Sequence, residues 1–244
     1  MKSVRRTTGI VISTGALLAA VALCAQTPSP QERAAALKQS LAANQAALKK
    51  YSWVETTTIS LKGEVKKQEQ KQCAYGADGK VQKTPIPGAT PTAQPEQKES
   101  KGRRGGRVKQ AVVEKKVDEL KDYMERAAAL VHAYVPPDPQ KIQAAQTANH
   151  VSIQPSANVV TMTITDYQQP GDSLAIGFNT TDNQLATYNV SSYVEKPKDD
   201  VLTLAVTFGR LEDGVSYPQQ ILLDVKSKNV LVKVVNSGYK KSGT

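Results

Sequence analysis

Residues 201–208 read Val-Leu-Thr-Leu-Ala-Val-Thr-Phe, and every second side chain, Leu202, Leu204, Val206 and Phe208, is large and apolar. A period of two in a run this rich in β-branched residues marks a strand with one buried face and one wet face. The period returns on both sides: Val160, Met162 and Ile164 share a face, as do Leu174, Ile176 and Phe178, and then Val230, Val232 and Val234. Between these runs lie turn formers: Gln169–Asp172, Thr181–Asn183, Pro197–Asp199, Glu212–Gly214 and Lys226–Asn229. Each is short enough for an antiparallel connection. From Val151 onward the chain reads as a β-meander.

Upstream, Tyr51, Trp53, Thr57, Ile59 and Leu61 alternate with Ser52, Thr56, Thr58 and Ser60, which predicts a half-buried strand. Lys62 and Gly63 offer a turn, and Val65–Tyr75 returns with Val65, Cys73 and Tyr75 on one parity, so the pair reads as a hairpin. Helical spacing appears in three places. Gln31–Lys50 carries Leu37, Leu41 and Leu48 without Gly or Pro. Val112–Tyr134 sets Val113, Val117, Leu120, Met124, Ala127, Val131 and Tyr134 opposite Lys115, Glu119, Lys121, Asp122 and Arg126. Pro136 and Pro137 stop that helix, and Asp138-Pro139 provides an N-cap and first-turn pair for a shorter one to about Asn149. The fold class is α+β: a curled antiparallel sheet of about nine strands, an incomplete β-barrel, covered by about three helices. Residues 26–244 are expected to form one domain, since no break in composition divides the sheet.

Gln82–Arg107 differs from its surroundings, with Pro85, Pro87, Pro91 and Pro95 among Gly, Thr, Gln and Lys, and predicts a mobile loop. From Lys98 to Lys116 eight Lys or Arg face only Glu99 and Glu114. Lys101, Arg103, Arg104, Arg107 and Lys109 are therefore candidates for gripping an anionic lipid, polysaccharide or nucleic acid surface, although no aromatic interleaves them to stack on bases, so no specific nucleic-acid site is expected. A solvated basic loop accounts for the same residues.

Residues 1–25 have the order of a secretory signal: Lys2, Arg5 and Arg6, then an uncharged run from Gly9 to Leu23. The run is shorter than the roughly 20 residues of a membrane span, and cleavage is expected after Ala25; acylation at Cys24 is the alternative, against which bulky Leu23 stands. The destination is the periplasm or the medium. Removing the three cations lowers the formal net charge from +10 to +7 and leaves Cys73 alone, so no intramolecular disulfide forms. Its place in a strand pattern suits a buried apolar residue.

No reaction is written in the sequence. Two histidines and two cysteines fall short of a Cys/His zinc site. His132 and His150 have no recognisable partners, and the pairs Asp118-Glu119 and Asp199-Asp200 diverge because adjacent side chains point apart. Gly102, Gly105 and Gly106 lack the preceding strand and the lysine-serine or lysine-threonine ending of a phosphate loop. The expectation is a protein without enzymatic activity and without cofactor, acting as a monomer.

The order of signal, helix, Tyr51-Ser52-Trp53 hairpin ending in Tyr75-Gly76-Ala77-Asp78-Gly79-Lys80, central helices and long meander resembles the LolA/LolB-like family of periplasmic lipoprotein carriers in layout. Over nearly the whole mature chain the sequence is also similar to a group of uncharacterised secreted bacterial proteins. That similarity is carried by Leu61–Glu64, Gln82–Pro85, Asp122–Arg126, Tyr134–Pro139 and Asn236–Tyr239. The carrier resemblance implies a half-barrel lidded by helices that holds acyl chains. A curled sheet under helices either packs solid or encloses an apolar pocket. In the second case Trp53, Ile59, Leu61, Leu120, Met124, Phe178 and Phe208 are the candidate lining, with a lipid or lipoprotein acyl chain as partner. A structural role, with a sheet edge or the Pro-rich loop docking another envelope protein, is the further alternative.

Overall fold

The computed structural model describes the backbone of residues 30–86 and 106–242 and the side chains of 39–86 and 115–242. Residues 1–29, which include the stretch read above as a signal, and most of the Pro-rich and basic stretch lie outside these residues. Three helices are present: α1 (Pro30–Leu48), α2 (Gly106–His132) and α3 (Pro139–Thr147). The strands are β1 (Tyr51–Leu61), β2 (Glu64–Tyr75), β3 (Val81–Pro85), β4 (Val151–Ser156), β5 (Val159–Thr165), β6 (Ser173–Asn179), β7 (Leu185–Tyr193), β8 (Val201–Arg210), β9 (Ser216–Val225) and β10 (Val230–Lys241). All lie in one antiparallel sheet ordered β3-β2-β1-β10-β9-β8-β7-β6-β5-β4. Every strand pairs with a neighbour in sequence except at β1 and β10, where the N-terminal hairpin joins the meander.

The α+β class is as expected, with ten strands in place of nine. The extra strand is β3, which pairs Val81 with Tyr75 and Pro85 with Lys71. The stretch expected to be loop from Gln82 thus begins as an edge strand, and Gly106 and Arg107 already belong to α2. Proline is tolerated at an edge because no outer neighbour asks for its N–H. Pro155 in β4, the opposite edge, obeys the same rule.

Register aligns the apolar positions into rows. One row runs across seven strands: Ile164, Leu174, Val190, Leu204, Leu223, Val232 and Ile59, each opposite the next. Leu202, Val225, Val230 and Leu61 form a second. α2 covers this face with residues three or four apart. Leu120, Tyr123, Met124 and Ala127 pack on Leu202, Val225 and Val230, and Leu130, Val131 and Tyr134 pack near Ile164, Leu174 and Val190. Each fully buried Leu, Ile or Val contributes about 1.5–3 kcal/mol. Val117, expected on this stripe, lies one turn before Leu120 and is 46% exposed.

Two tyrosines fasten α2 to the turns below it. Tyr134 donates its hydroxyl to Asp172, whose carboxylate also accepts the amides of Tyr167, Gln168 and Gln169 at 2.6, 3.0 and 2.9 Å. Tyr123 donates to Asp200 at 2.5 Å, and Asp200 also accepts the Ser227 hydroxyl at 2.5 Å and the Glu195 amide at 3.0 Å. Burial first, and the carboxylate second, push the Tyr123 hydroxyl up to about 12 and move Tyr134 upward as well. Burial works against ionisation of Asp200, but the Ser227 and Tyr123 hydroxyls, the Glu195 amide and the Lys228 charge together hold it below the usual carboxylate range. Asp138 caps α3 by accepting the Gln140 amide at 2.8 Å, with Pro139 in the first turn, as the sequence predicts.

One parity assignment is corrected. Ser60 faces Val65 but Ile59 faces Lys67, so a bulge in β2 turns Val65 to the other face from Cys73. Val65 is 43% exposed, whereas Cys73 is fully buried.

Candidate apolar-ligand site

α1 and α2 lie toward opposite ends of one sheet face. Along β1 the side chains alternate, so Tyr51, Trp53, Ile59 and Leu61 share that face. Leu61 belongs to the layer under α2, while Leu48, in the last turn of α1, packs on Tyr51 and Val215. α1 is fixed there by Asn44, which donates to the Ser216 carbonyl at 2.8 Å and accepts its amide at 2.7 Å. Gln184 adds a contact to Ser40 at 2.7 Å.

Between the two helices burial falls along each strand. Ile176 is buried but Phe178 half-buried; Val206 is buried but Phe208 half-buried; Val225 gives way to Leu223 and Ile221, and Val230 to Val232 and Val234. The period of two continues unchanged through these positions. The apolar surface therefore extends further than the helices that cover it.

The seven candidate lining residues are distributed over this face. Leu61, Leu120 and Met124 meet in the layer under the middle of α2. Phe178 and Phe208 stand in the half-buried strip, against the layer that contains Tyr188 and Val206. Ile59 lies opposite Val232 at the β1 margin. Trp53 is buried at the α1 end, where its indole N–H donates to Asn236 Oδ1 at 3.1 Å and its ring stacks on Tyr239 with centroids 5.5 Å apart. Of the five candidate anionic-surface residues, Lys101, Arg103 and Arg104 lie outside the described residues. Arg107 and Lys109 fall in the first turns of α2, before its described side chains begin.

A polar cleft that the sequence reading missed opens beside the strip. β9 and β10 pair from Val225 with Val230 to Gln220 with Val235, and then part. Pro218 has no N–H to continue a ladder, and β10 bulges against β1 at Gly238 and Tyr239. The Asn236 side chain partly replaces the lost ladder by donating to the Pro218 carbonyl at 2.7 Å. Beyond it is a cleft of about 550 Å³ lined by Tyr51, Arg210, Leu211, Glu212, Asp213, Tyr217, Gly238, Tyr239 and Lys241. Asp213 spans it, accepting from Tyr51 at 2.5 Å and Lys241 at 2.9 Å, and the Tyr51 hydroxyl above all holds its carboxyl down at about 2. Burial raises Tyr239 above the ordinary phenol range, with Tyr217 adding to it. Proline and glycine inside strand patterns were the available signals.

Cys73 is enclosed, and burial pushes its thiol up, which disfavours the reactive thiolate. Among the described residues, no group of three or more His, Cys, Asp or Glu is placed to hold a metal, and no helix is long and apolar enough to cross a membrane.

No family model matches the sequence, and no curated protein matches it. Two solved structures are similar to it. One is a LolA superfamily protein from Nitrosomonas europaea, with 9% identity over 83% of this chain and 94% of that one and a TM-score of 0.33. The other is a DUF1329 family protein from Desulfovibrio piger, with 9% identity over 85% and 92% and a TM-score of 0.36. The sheet order, the half-buried strip and the cleft are properties of this chain's own residues.

Proposed function

We propose that the protein is a non-enzymatic binding protein of the cell envelope that holds an apolar chain, such as the acyl chain of a lipid or lipoprotein, along the sheet face between α1 and α2. The observation that supports this reading is the decline of burial along β6, β8, β9 and β10 while the apolar period continues. A sheet face evolved only for packing has little reason to carry two phenylalanines and a row of aliphatic residues past the edge of its cover. The lining proposed is Phe178 and Phe208 in the strip, Ile59 and Leu61 along β1, Leu120 and Met124 from α2, and Trp53 at the far end. Each methylene removed from water contributes about 0.8 kcal/mol, so a chain of about ten, half covered, offsets part of the cost of association.

Extraction of protein purified from its native envelope, followed by mass spectrometry, should return acyl lipid in stoichiometric amount. A fluorescent fatty acid should bind the delipidated protein, and Phe208→Ser and Phe178→Ser should each weaken it about tenfold. Protein free of acyl ligand that also fails to bind the probe overturns the proposal.

A further inference from the structure

Opposite the α1 end, three turns carry exposed lysines: Lys62 between β1 and β2, Lys196 and Lys198 between β7 and β8, and Lys226 and Lys228 between β9 and β10. The turns are tied to one another. The Lys62 amide donates to the Asn229 carbonyl at 2.8 Å, and Asp200 accepts from Ser227 of one turn and from Glu195 of another. Tyr123 fastens the same carboxylate to α2. The lysines therefore stand on one braced platform that spans the strand ends from β1 to β7, on the order of 20 Å at about 4.8 Å per strand.

Two further observations characterise this platform. None of the five lysines has a carboxylate within 4.0 Å among the described residues; at the other end Arg210 is paired with Asp182 and Lys241 with Asp213, while Lys49, Lys50, Lys80 and Lys240 are exposed without such a pair. Of the neighbouring acids, Glu64 is engaged by Lys66, Glu195 by Arg126 and Asp200 by Tyr123 and Ser227, which leaves exposed Asp199 as a single free carboxylate beside Lys198. Beside the lysines, on the face away from the helices, Ser60 lies between Val65 and Leu231, which are 43% and 38% exposed. Exposed cations without an ion pair, of which Lys228 also lies 4.7 Å from the Tyr123 ring centroid, stand next to exposed aliphatic side chains and match a surface that is anionic outside and apolar just beneath.

We propose that this end of the sheet is a docking face for an anionic phospholipid bilayer, with Lys62, Lys196, Lys198, Lys226 and Lys228 at the head groups and Val65 and Leu231 entering between them. A soluble polyanion would use the lysines but give the aliphatic pair nothing to enter. Its five lysines are different residues from the cations of the basic stretch at 98–116, so it stands or falls by its own variants.

The test is cosedimentation of the full mature protein with phosphatidylcholine vesicles with and without phosphatidylglycerol. Binding is expected only to the anionic vesicles and should fall steeply with salt. Replacing the five lysines by Gln should lower partitioning about a hundredfold, at a few-fold per lysine near a charged surface. Val65→Ser with Leu231→Ser should lower it about tenfold while leaving retention on heparin unchanged. Replacing Lys101, Arg103, Arg104, Arg107 and Lys109 by Gln is the comparison variant and should retain most of the binding. Far-ultraviolet dichroism and unchanged fatty-acid binding show that each variant is folded. Vesicle binding that survives loss of the five turn lysines, or an effect of the aliphatic pair no different on vesicles and heparin, overturns the proposal.

Discussion

The helix-covered part of the sheet and the strip beside it are built from the same strands but obey different rules. Under α2, Leu174, Leu202 and Val225 are fully buried, and the helix is fixed by Tyr123 and Tyr134 on Asp200 and Asp172. A few residues further along those strands, Phe178, Phe208 and Ile221 keep the apolar identity and are only half-buried. Burial in the first part stabilises the fold; incomplete burial in the second leaves apolar surface that a ligand can cover. The sharpest way to break this comparison is to show that both parts respond alike to mutation.

The largest effect is expected at Asp172. Asp172→Ala removes the acceptor of one buried hydroxyl and three backbone amides, and unmade buried hydrogen bonds each cost about 1–3 kcal/mol. Some of these groups can reach water in the variant, so a loss of about 3–5 kcal/mol is expected in urea unfolding. Fatty-acid affinity, measured where the variant is still folded, should change less than threefold. A loss below about 1 kcal/mol would mean that this turn is not what holds α2 in place.

The next effect separates the two parts directly. Leu174→Ala should cost about 3 kcal/mol, in the range of buried leucines, and leave probe binding intact. Phe208→Ala should cost less than half as much, since its ring is already partly in water, and weaken probe binding about tenfold. Equal stability losses with no difference in binding would dissolve the distinction between core and strip.

How far this distinction can be read without coordinates depends on what kind of interaction sets it. The meander, its antiparallel order and the α2 stripe follow from the periods of residues 160–178, 202–208 and 120–134, because periodicity reports which face is apolar. It does not report how much of that face is covered, since Val206 and Phe208 occupy equivalent places in the pattern and yet one is buried and the other half-buried. β3 was missed because Pro85 and the polar Gln82, Lys83 and Thr84 read as loop, and an edge strand needs neither an apolar face nor a full set of donors. The cleft was hidden for a related reason. Arg210, Asp213, Tyr217, Tyr239 and Lys241 come from three strands and a turn, and only the parting of β9 from β10 around Pro218 brings them together.

The smallest effect concerns that cleft, whose cross-link is exposed where those under α2 are buried. Asp213 has a carboxyl lowered from 3.8 to about 2, by the Tyr51 hydroxyl first and then by Lys241. A carboxyl lowered on folding contributes stability that is fully present above its unfolded value and is lost as pH falls through its folded value. The window is therefore between about pH 4 and pH 2. The raised Lys241 has the opposite sign, its contribution being complete below its ordinary 10.5 and fading above it. Asp213→Asn should flatten the acid limb of the stability curve in that window by lowering the midpoint at neutral pH toward its value in acid, where wild type and variant converge. Raising the salt concentration should mimic only the smaller Lys241 part of this effect, because Lys241 faces solvent whereas the Tyr51 hydroxyl is uncharged and its residue is buried. An acid limb as steep in Asp213→Asn as in the wild type would place the acid-sensitive carboxylate elsewhere. Asp200, held below the usual range among buried hydroxyls, would then be the group to replace next.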